Sequence, residues 1–230
     1  MTPLCVIPAR LGSKRLANKN ILPLGGRPML VHTVEAALAS GVFDRVIVST
    51  EDNGIARIAE AAGAVSHQRP QELAGDLVSA TDVCIEVAEA LETKGARHDA
   101  VVCLQPSSPL RNGRDIAASW QRMVETGADY LVSVTPIDPH YFHWAVHKDE
   151  TNGWEMFFRD RFLMERPLLP PAFRPNGAIK IGKLAPLKAI RNFFGPKLEI
   201  YEMPEDRSIH VAEQFDFDLA DFLLRRRTSA

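Results

Sequence analysis

With 230 residues, 46 % of them hydrophobic, and a net charge of -2, the chain has enough apolar material for one sizeable core and no general pull toward nucleic acid or an anionic membrane. No apolar run approaches the ~20 residues of a membrane span, and the first residues lack the charged-then-apolar order of a secretory leader. Cys5, Cys84 and Cys103 have neither paired nor metal-ligand spacing, so the expectation is a cytoplasmic protein whose thiols are buried and free.

In chain order, the apolar run Leu4 to Ile7 has the length of a buried strand and breaks at Pro8 into a loop carrying Gly12, Ser13 and the cations Arg10, Lys14, Arg15 and Lys19. A glycine lets backbone approach a ligand, neighbouring N–H groups can form a nest for anionic oxygens, and the cations offset phosphate charge. Position supports this reading, because ligands of open α/β sheets lie at the carboxyl ends of strands. Gly25-Gly26-Arg27-Pro28 is a turn with Pro at a helix's first position, and apolar residues then recur at helical spacing from Met29 to Leu38 until Gly41. Val46 to Val48 reads as a buried strand, followed by the polar cluster Ser49 to Asn53, a helix from Ile55 to Ala62 and a short strand at Ala64-Val65. The loop Arg69 to Asp76 leads to a helix from Ala80 to Thr93, which Ser79 or Thr81 can cap.

Ala100 to Leu104 is apolar throughout, as a strand covered on both faces should be, and it runs into Gln105-Pro106-Ser107-Ser108-Pro109-Leu110-Arg111. A helix near Gly113 to Glu125 and a strand from Tyr130 to Thr135 follow. The alternation predicts a mostly parallel sheet with right-handed crossovers. From Pro136 to Pro175 the texture changes to aromatics and proline, which predicts an inserted arm with a hairpin across Asn152-Gly153; exposed aromatics on such an arm suit a homodimer contact. The chain then returns through a strand at Gly177 to Ile181, a helix at Ala185 to Arg191, a strand at Leu198 to Tyr201 and a helix from Gln214 to Arg226.

Taken together, Ile7-Pro8-Ala9-Arg10-Leu11-Gly12-Ser13-Lys14-Arg15 with Lys19-Asn20-Ile21, Val48-Ser49-Thr50-Glu51-Asp52, Arg69-Pro70 with Leu73 to Asp76, Leu104 to Arg111, and Asn176-Gly177-Ala178-Ile179 resemble the acylneuraminate cytidylyltransferase family. The resemblance covers nearly the whole chain. It implies a single domain over residues 1–230, α/β and Rossmann-like, with the mixed, mostly parallel sheet of the nucleotide-diphospho-sugar transferase type and a dimerisation arm over roughly residues 136–175. It also implies transfer of CMP from CTP to the anomeric hydroxyl of a nonulosonic, sialic-type acid, with pyrophosphate leaving. That chemistry asks mainly for positioning and electrostatic stabilisation.

By the same resemblance, Arg10, Ser13, Lys14 and Arg15 cradle the phosphates around Gly12, and Arg10 and Lys19 are the catalytic cations. Asn20, Ser79 and Ala80 contact the nucleotide, with Ala9 and Leu11 offering backbone groups. On the sugar side fall Gln105, whose amide both donates and accepts, together with Ser107 and Asn176, Arg166 facing the sugar acid's carboxylate, and the pair Phe193 and Phe194.

The sequence departs from the family at one point. The resemblance implies Mg2+ held by an Asp-x-Asp ahead of the last helix, and those positions are His210 and Ala212 here, with Glu213 and Asp216 as nearby oxygens, so no metal ligand is assigned. The departure keeps a second reading open, an inactive nucleotide-binding relative serving as a binding or regulatory subunit. A third is a CMP-Kdo synthetase-like enzyme. A dinucleotide-dependent oxidoreductase is disfavoured, since no Gly-x-Gly-x-x-Gly follows a strand.

Overall fold

The computed structural model describes residues 1–13, 15–151 and 153–228. Eleven strands and eight α-helices follow one another as β1 (Pro3–Pro8), β2 (Pro23–Leu24), β3 (Arg27–Pro28), α1 (Met29–Ala39), β4 (Val46–Thr50), α2 (Asn53–Ala61), β5 (Val65–Gln68), α3 (Ala80–Glu92), β6 (Ala100–Cys103), α4 (Gly113–Thr126), β7 (Tyr130–Ile137), α5 (Pro139–His143), β8 (Val146–Asp149), β9 (Gly153–Met156), α6 (Arg159–Phe162), β10 (Ala172–Lys183), α7 (Leu184–Ile190), β11 (Leu198–Glu202) and α8 (Gln214–Thr228).

Seven strands form the main sheet in the order β11-β7-β10-β6-β1-β4-β5. All neighbours are parallel except β10, which runs antiparallel to both β6 and β7. The sheet is therefore mixed and mostly parallel, as the sequence implied. The apolar runs of β1, β4 and β6 are buried end to end because helices cover both faces. On one face Leu30, Val34, Ala59, Ile116 and Met123 of α1, α2 and α4 pack on Ile7, Val48, Val102 and Ile181. On the other, Cys84, Val87 and Leu187 of α3 and α7 pack on Val6, Ile47, Cys103 and Val132. Each fully buried aliphatic side chain of this kind contributes ~1.5–3 kcal/mol. The three cysteines are buried and free.

Local chemistry sets the helix starts. The Asp52 carboxylate accepts from the Ile55 N–H at 2.8 Å, and reciprocal capping boxes open α3 (Ser79 with Asp82) and α4 (Asn112 with Asp115). Pro28 is not the first helical residue expected from the sequence: it closes a tight hairpin of β2 on β3 through Gly25 (φ 56°) and Gly26 (φ 81°), and α1 begins at Met29. The return strand is longer than its apolar segment suggests. β10 pairs with β7 from Ala172 onward, with a register shift between Pro175 and Lys180 that bends the strand where Pro175 and Gly177 interrupt the pattern.

Between β7 and β10 lies the arm: α5, the separate β8–β9 hairpin, and α6. Tyr141, Trp154 and Phe157 are exposed on it, at 84 %, 73 % and 59 %. Of the turn expected at Asn152-Gly153, Gly153 takes φ 84° and Asn152 lies outside the described residues.

Candidate active site

Strand order reverses between β1 and β6: the chain first builds outward through β4 and β5, then crosses to the other side of β1. At such a point the loops leaving adjacent carboxyl ends diverge and open a crevice. A cavity of about 170 Å³ lies there, lined by Pro8, Arg10, Lys19 and Asn20 from the β1 side, by Arg69 and Ala80, and by Gln105 and Ser107 from the β6 side. Arg10, Lys19 and Asn20 also form one wall of a second compartment of about 440 Å³, completed by Gly12, Ser13, Arg15 and Asp76. Fold topology thus brings together the basic loop and the Gln105–Ser107 segment that the sequence singled out; Lys14 lies outside the described residues.

The cations are held in a particular way. Arg10 pairs with Asp76 at 2.7 Å, and its own carbonyl accepts from the Asn20 amide at 2.8 Å, which ties the loop back on itself. Lys19 donates to the Val211 carbonyl at 3.1 Å. Burial, then the neighbouring Arg15 and Arg10, push the Lys19 amine below its ordinary pKa, with Asp216 opposing them. A cluster of like charges, partly desolvated, is what a polyanion relieves.

Beyond Lys19 stands His210. Its imidazole contacts the hydroxyls of Ser107 and Ser108. Burial first, then Lys19 and Lys180, lower its pKa to about 4, with Asp216 acting in the opposite sense, so the ring is neutral near pH 7.

Other sequence-assigned residues fall differently. The N–H groups of Ala9 and Leu11 are taken by the Ser49 carbonyl (2.9 Å) and the Glu51 carboxylate (2.8 Å), which removes them as donors to a nucleotide. The Ser79 hydroxyl is committed to capping α3 through Asp82. Asn176 is 1 % exposed, and its amide is spent inside the protein: Oδ1 accepts from Ser133 Oγ at 2.6 Å and the Ala178 N–H at 3.1 Å, while Nδ2 donates to Ser208 Oγ at 2.9 Å. Phe193 is buried in the core with Tyr130 and Leu187 on the α3–α7 side, and Phe194 is exposed; neither lines the cleft. Arg166 sits on the arm, paired with Asp138 at 3.2 Å beside a separate apolar hollow. Sequence reading passed over Lys180, a half-buried cation inside an apolar strand, whose only signal is that it breaks the run Ala178-Ile179-Lys180-Ile181.

Residues 4–142 match the profile of a family described as cytidylyltransferase. The chain belongs to that family. A Streptococcus agalactiae protein named N-acylneuraminate cytidylyltransferase is 32 % identical over 219 residues, covering 94 % of this chain and 52 % of its own length. The chain therefore spans about half the length of that relative. A Campylobacter jejuni protein named pseudaminic acid cytidylyltransferase is 27 % identical over 226 residues, covering 98 % of this chain and 97 % of its own. Among solved structures, one titled as CMP:2-keto-3-deoxy-manno-octonic acid synthetase complexed with CTP superposes with a TM-score of 0.73 at 19 % identity, covering 99 % of this chain and 100 % of that one, a likeness of fold.

For a cytidylyltransferase a divalent metal at the triphosphate is the usual expectation. Folding supplies no replacement for the missing acids. Asp216 Oδ2 is engaged by the N–H groups of Ala212 and Glu213 at 2.8 and 2.9 Å, capping the start of α8, and no group of three or more His, Cys, Asp or Glu side chains converges among the described residues. The described residues therefore supply no all-protein cage for Mg2+, and no ligand is assigned. No helix among the described residues is long and apolar enough to cross a membrane.

Proposed function

We propose that the chain transfers CMP from CTP to the anomeric hydroxyl of a nonulosonic, sialic-type acid and releases pyrophosphate. The observation that carries this reading is one cleft at the β1–β6 crossover, walled by Arg10 and Lys19 on one side and by Gln105 and Ser107 on the other. Membership of the cytidylyltransferase family and the printed activities of the two relatives point the same way.

In this reading the triphosphate lies along Arg10, Ser13, Arg15 and Lys19, with Lys14 in the same loop. Attack at the α-phosphorus moves negative charge onto the departing pyrophosphate, and a partly desolvated lysine with like-charged neighbours stabilises that charge more strongly than it stabilises the ground state. Asn20 holds the loop through the Arg10 carbonyl, and Ala80 forms the wall near the nucleotide. Gln105 offers both donor and acceptor to the sugar acid. A second copy of the chain completes the molecule through the aromatic arm, where Arg166 is carried. Magnesium would arrive with the nucleotide's own oxygens, and no step is assigned to it.

The test is pyrophosphate release from CTP with a panel of sialic, legionaminic, pseudaminic and Kdo acids, each with and without Mg2+. Turnover with a nine-carbon acid is expected. Silence across the panel despite measurable CTP binding would instead support the binding-subunit reading, which the loss of acids at His210 and Ala212 favours, and turnover confined to the eight-carbon Kdo acid would move the assignment to that substrate.

A further inference from the structure

At position 210 the imidazole is fixed in one orientation by a chain of hydrogen bonds. Ser108 is fully buried, and its hydroxyl donates to the Asn176 carbonyl at 3.3 Å. A hydroxyl whose proton is spent presents its lone pairs elsewhere, and His210 Nδ1 lies 3.3 Å from that oxygen, with Ser107 Oγ at 3.4 Å. With the Ser108 proton spent on Asn176, the tautomer in which Nδ1–H donates to Ser108 Oγ leaves Nε2 with the free lone pair, whereas donation from Ser107 Oγ to Nδ1 would put the proton on Nε2, and the first measurement below tells the two apart. Among the described residues Nε2 has no hydrogen-bond partner, and it is not one of the sealed, unpaired polar atoms, so it keeps access to solvent.

Gly177 makes room for the ring. It sits at φ 71°, and a Cβ there would lie 3.0 Å from His210 Nδ1 and 3.3 Å from Gln105 Oε1. The imidazole thus stands beside Ser107 and close to Gln105, two residues of the cleft wall. Under the proposed function the sugar acid's hydroxyl would be brought to this part of the wall, which also carries Gln105.

We propose, on the basis of that function, that His210 is the general base of the transfer. Nε2 takes the proton as the acceptor's O–H bond breaks and its oxygen forms the bond to the α-phosphorus. The bond from that phosphorus to the bridging oxygen breaks, and its electron pair leaves with pyrophosphate. No further reactant is needed.

The charges around the ring adjust it to this task. Lys19 from the turn after the loop, Arg15 from the loop, and Lys180 from β10 disfavour protonation, and Asp216 of α8 favours it, while Ser107, Ser108 and Gln105 are uncharged. In the free protein the ring is neutral down to about pH 4. A bound triphosphate offsets Lys19 and Arg15, so the proton affinity of Nε2 rises when CTP is in place and a base is needed.

Two measurements decide the matter, both on the full-length protein. The first is 15N shift analysis of the labelled histidines, with His210→Asn for assignment: the free protein is expected to show Nδ1–H and bare Nε2, and a proton on Nε2 in the neutral ring would overturn the proposal. The second is the pH profile of turnover at saturating CTP for the parent, His210→Asn and His210→Gln. A general base contributes about 10²–10⁴-fold, so both variants are expected to lose turnover on that scale and to lose the acidic limb of the profile, while their stabilisation by CTP against heat stays within a few degrees of the parent's. Turnover within threefold of the parent, or an acidic limb that persists unchanged, would refute the base. A parent silent with every acid would remove the function on which it rests, an outcome distinct from an active parent with active variants.

Discussion

Asn176→Ala separates two accounts of one residue. Read from sequence, Asn176 touches the sugar acid; in the structure its amide is an internal cross-link between β7, β10 and the segment before α8. Truncation leaves the Ser133 hydroxyl, the Ala178 N–H and the Ser208 hydroxyl without that partner, all in a 0–1 % exposed environment for Ser133, Asn176, Ala178 and Ser208. Ser133 keeps another acceptor in the Ile179 carbonyl, and Ser208 already donates to the Pro204 carbonyl and loses only a donor to its oxygen, so the full penalty applies mainly to the Ala178 N–H and to the lost packing. At ~1–3 kcal/mol for an orphaned buried group plus ~1 kcal/mol for each of the two weakened bonds, the expected loss is about 3–5 kcal/mol. For a chain of this size that lowers Tm by about 10 °C. Urea unfolding followed by circular dichroism should show an earlier midpoint with an unchanged slope, and KM for the sugar acid, measured well below the transition, should move less than threefold. A Tm within 2 °C of the parent together with a tenfold higher KM would refute the cross-link and restore the ligand role.

Two further substitutions probe the cationic wall. Lys19→Met should lower turnover by about 10²–10³-fold while leaving Tm unchanged or slightly higher, because an amine disfavoured by burial and by Arg15 and Arg10 is replaced by an apolar chain; an equal loss of stability would mark a structural lysine. Asp76→Asn should lower KM for CTP by up to about fivefold at low salt, since an exposed ion pair worth ~0.2–1 kcal/mol no longer holds Arg10, and the gain should vanish at high salt; an unchanged or raised KM at low salt would count against it.

The parts of the fold legible in the sequence are those where one physical demand dominates. β1, β4 and β6 are covered on both faces, so their residues form continuous apolar runs that no loop would carry. Ser79 and Asn112 stand where a helix start needs an acceptor, each with an Asp three residues on. β10 was visible only over its apolar half, because its register shift places Pro175 and Gly177 inside a paired strand. Phe193 and Phe194 look equivalent as letters, yet one backbone step puts the first in the core and leaves the second exposed. Arg10 and Lys19 line the cleft, a position that several cations after a buried strand suggested, because such a cluster has few structural uses. Asn176 was ambiguous for the converse reason: an amide before Gly177 suits a ligand and an internal cross-link equally, and its three-dimensional partners are those of a cross-link.

The two halves of the cleft are mechanically one unit. Val211 donates its N–H to the Ser107 carbonyl at 2.7 Å and accepts from Lys19 through its own carbonyl at 3.1 Å, so one residue spans the triphosphate wall and the sugar wall. His210 precedes it and leans on Ser107 and Ser108; Ser108 in turn holds the Asn176 carbonyl. Lys19 spends one of its three ammonium protons on the Val211 carbonyl, so it can meet a phosphate oxygen while still holding that peptide in place. Under the proposed function a triphosphate beside Lys19 would act on His210 through charge, and a sugar acid with its single carboxylate would act more weakly in return. If that function holds, CTP is expected to bind before the acid, and initial-rate inhibition patterns showing random or acid-first binding would count against the coupling.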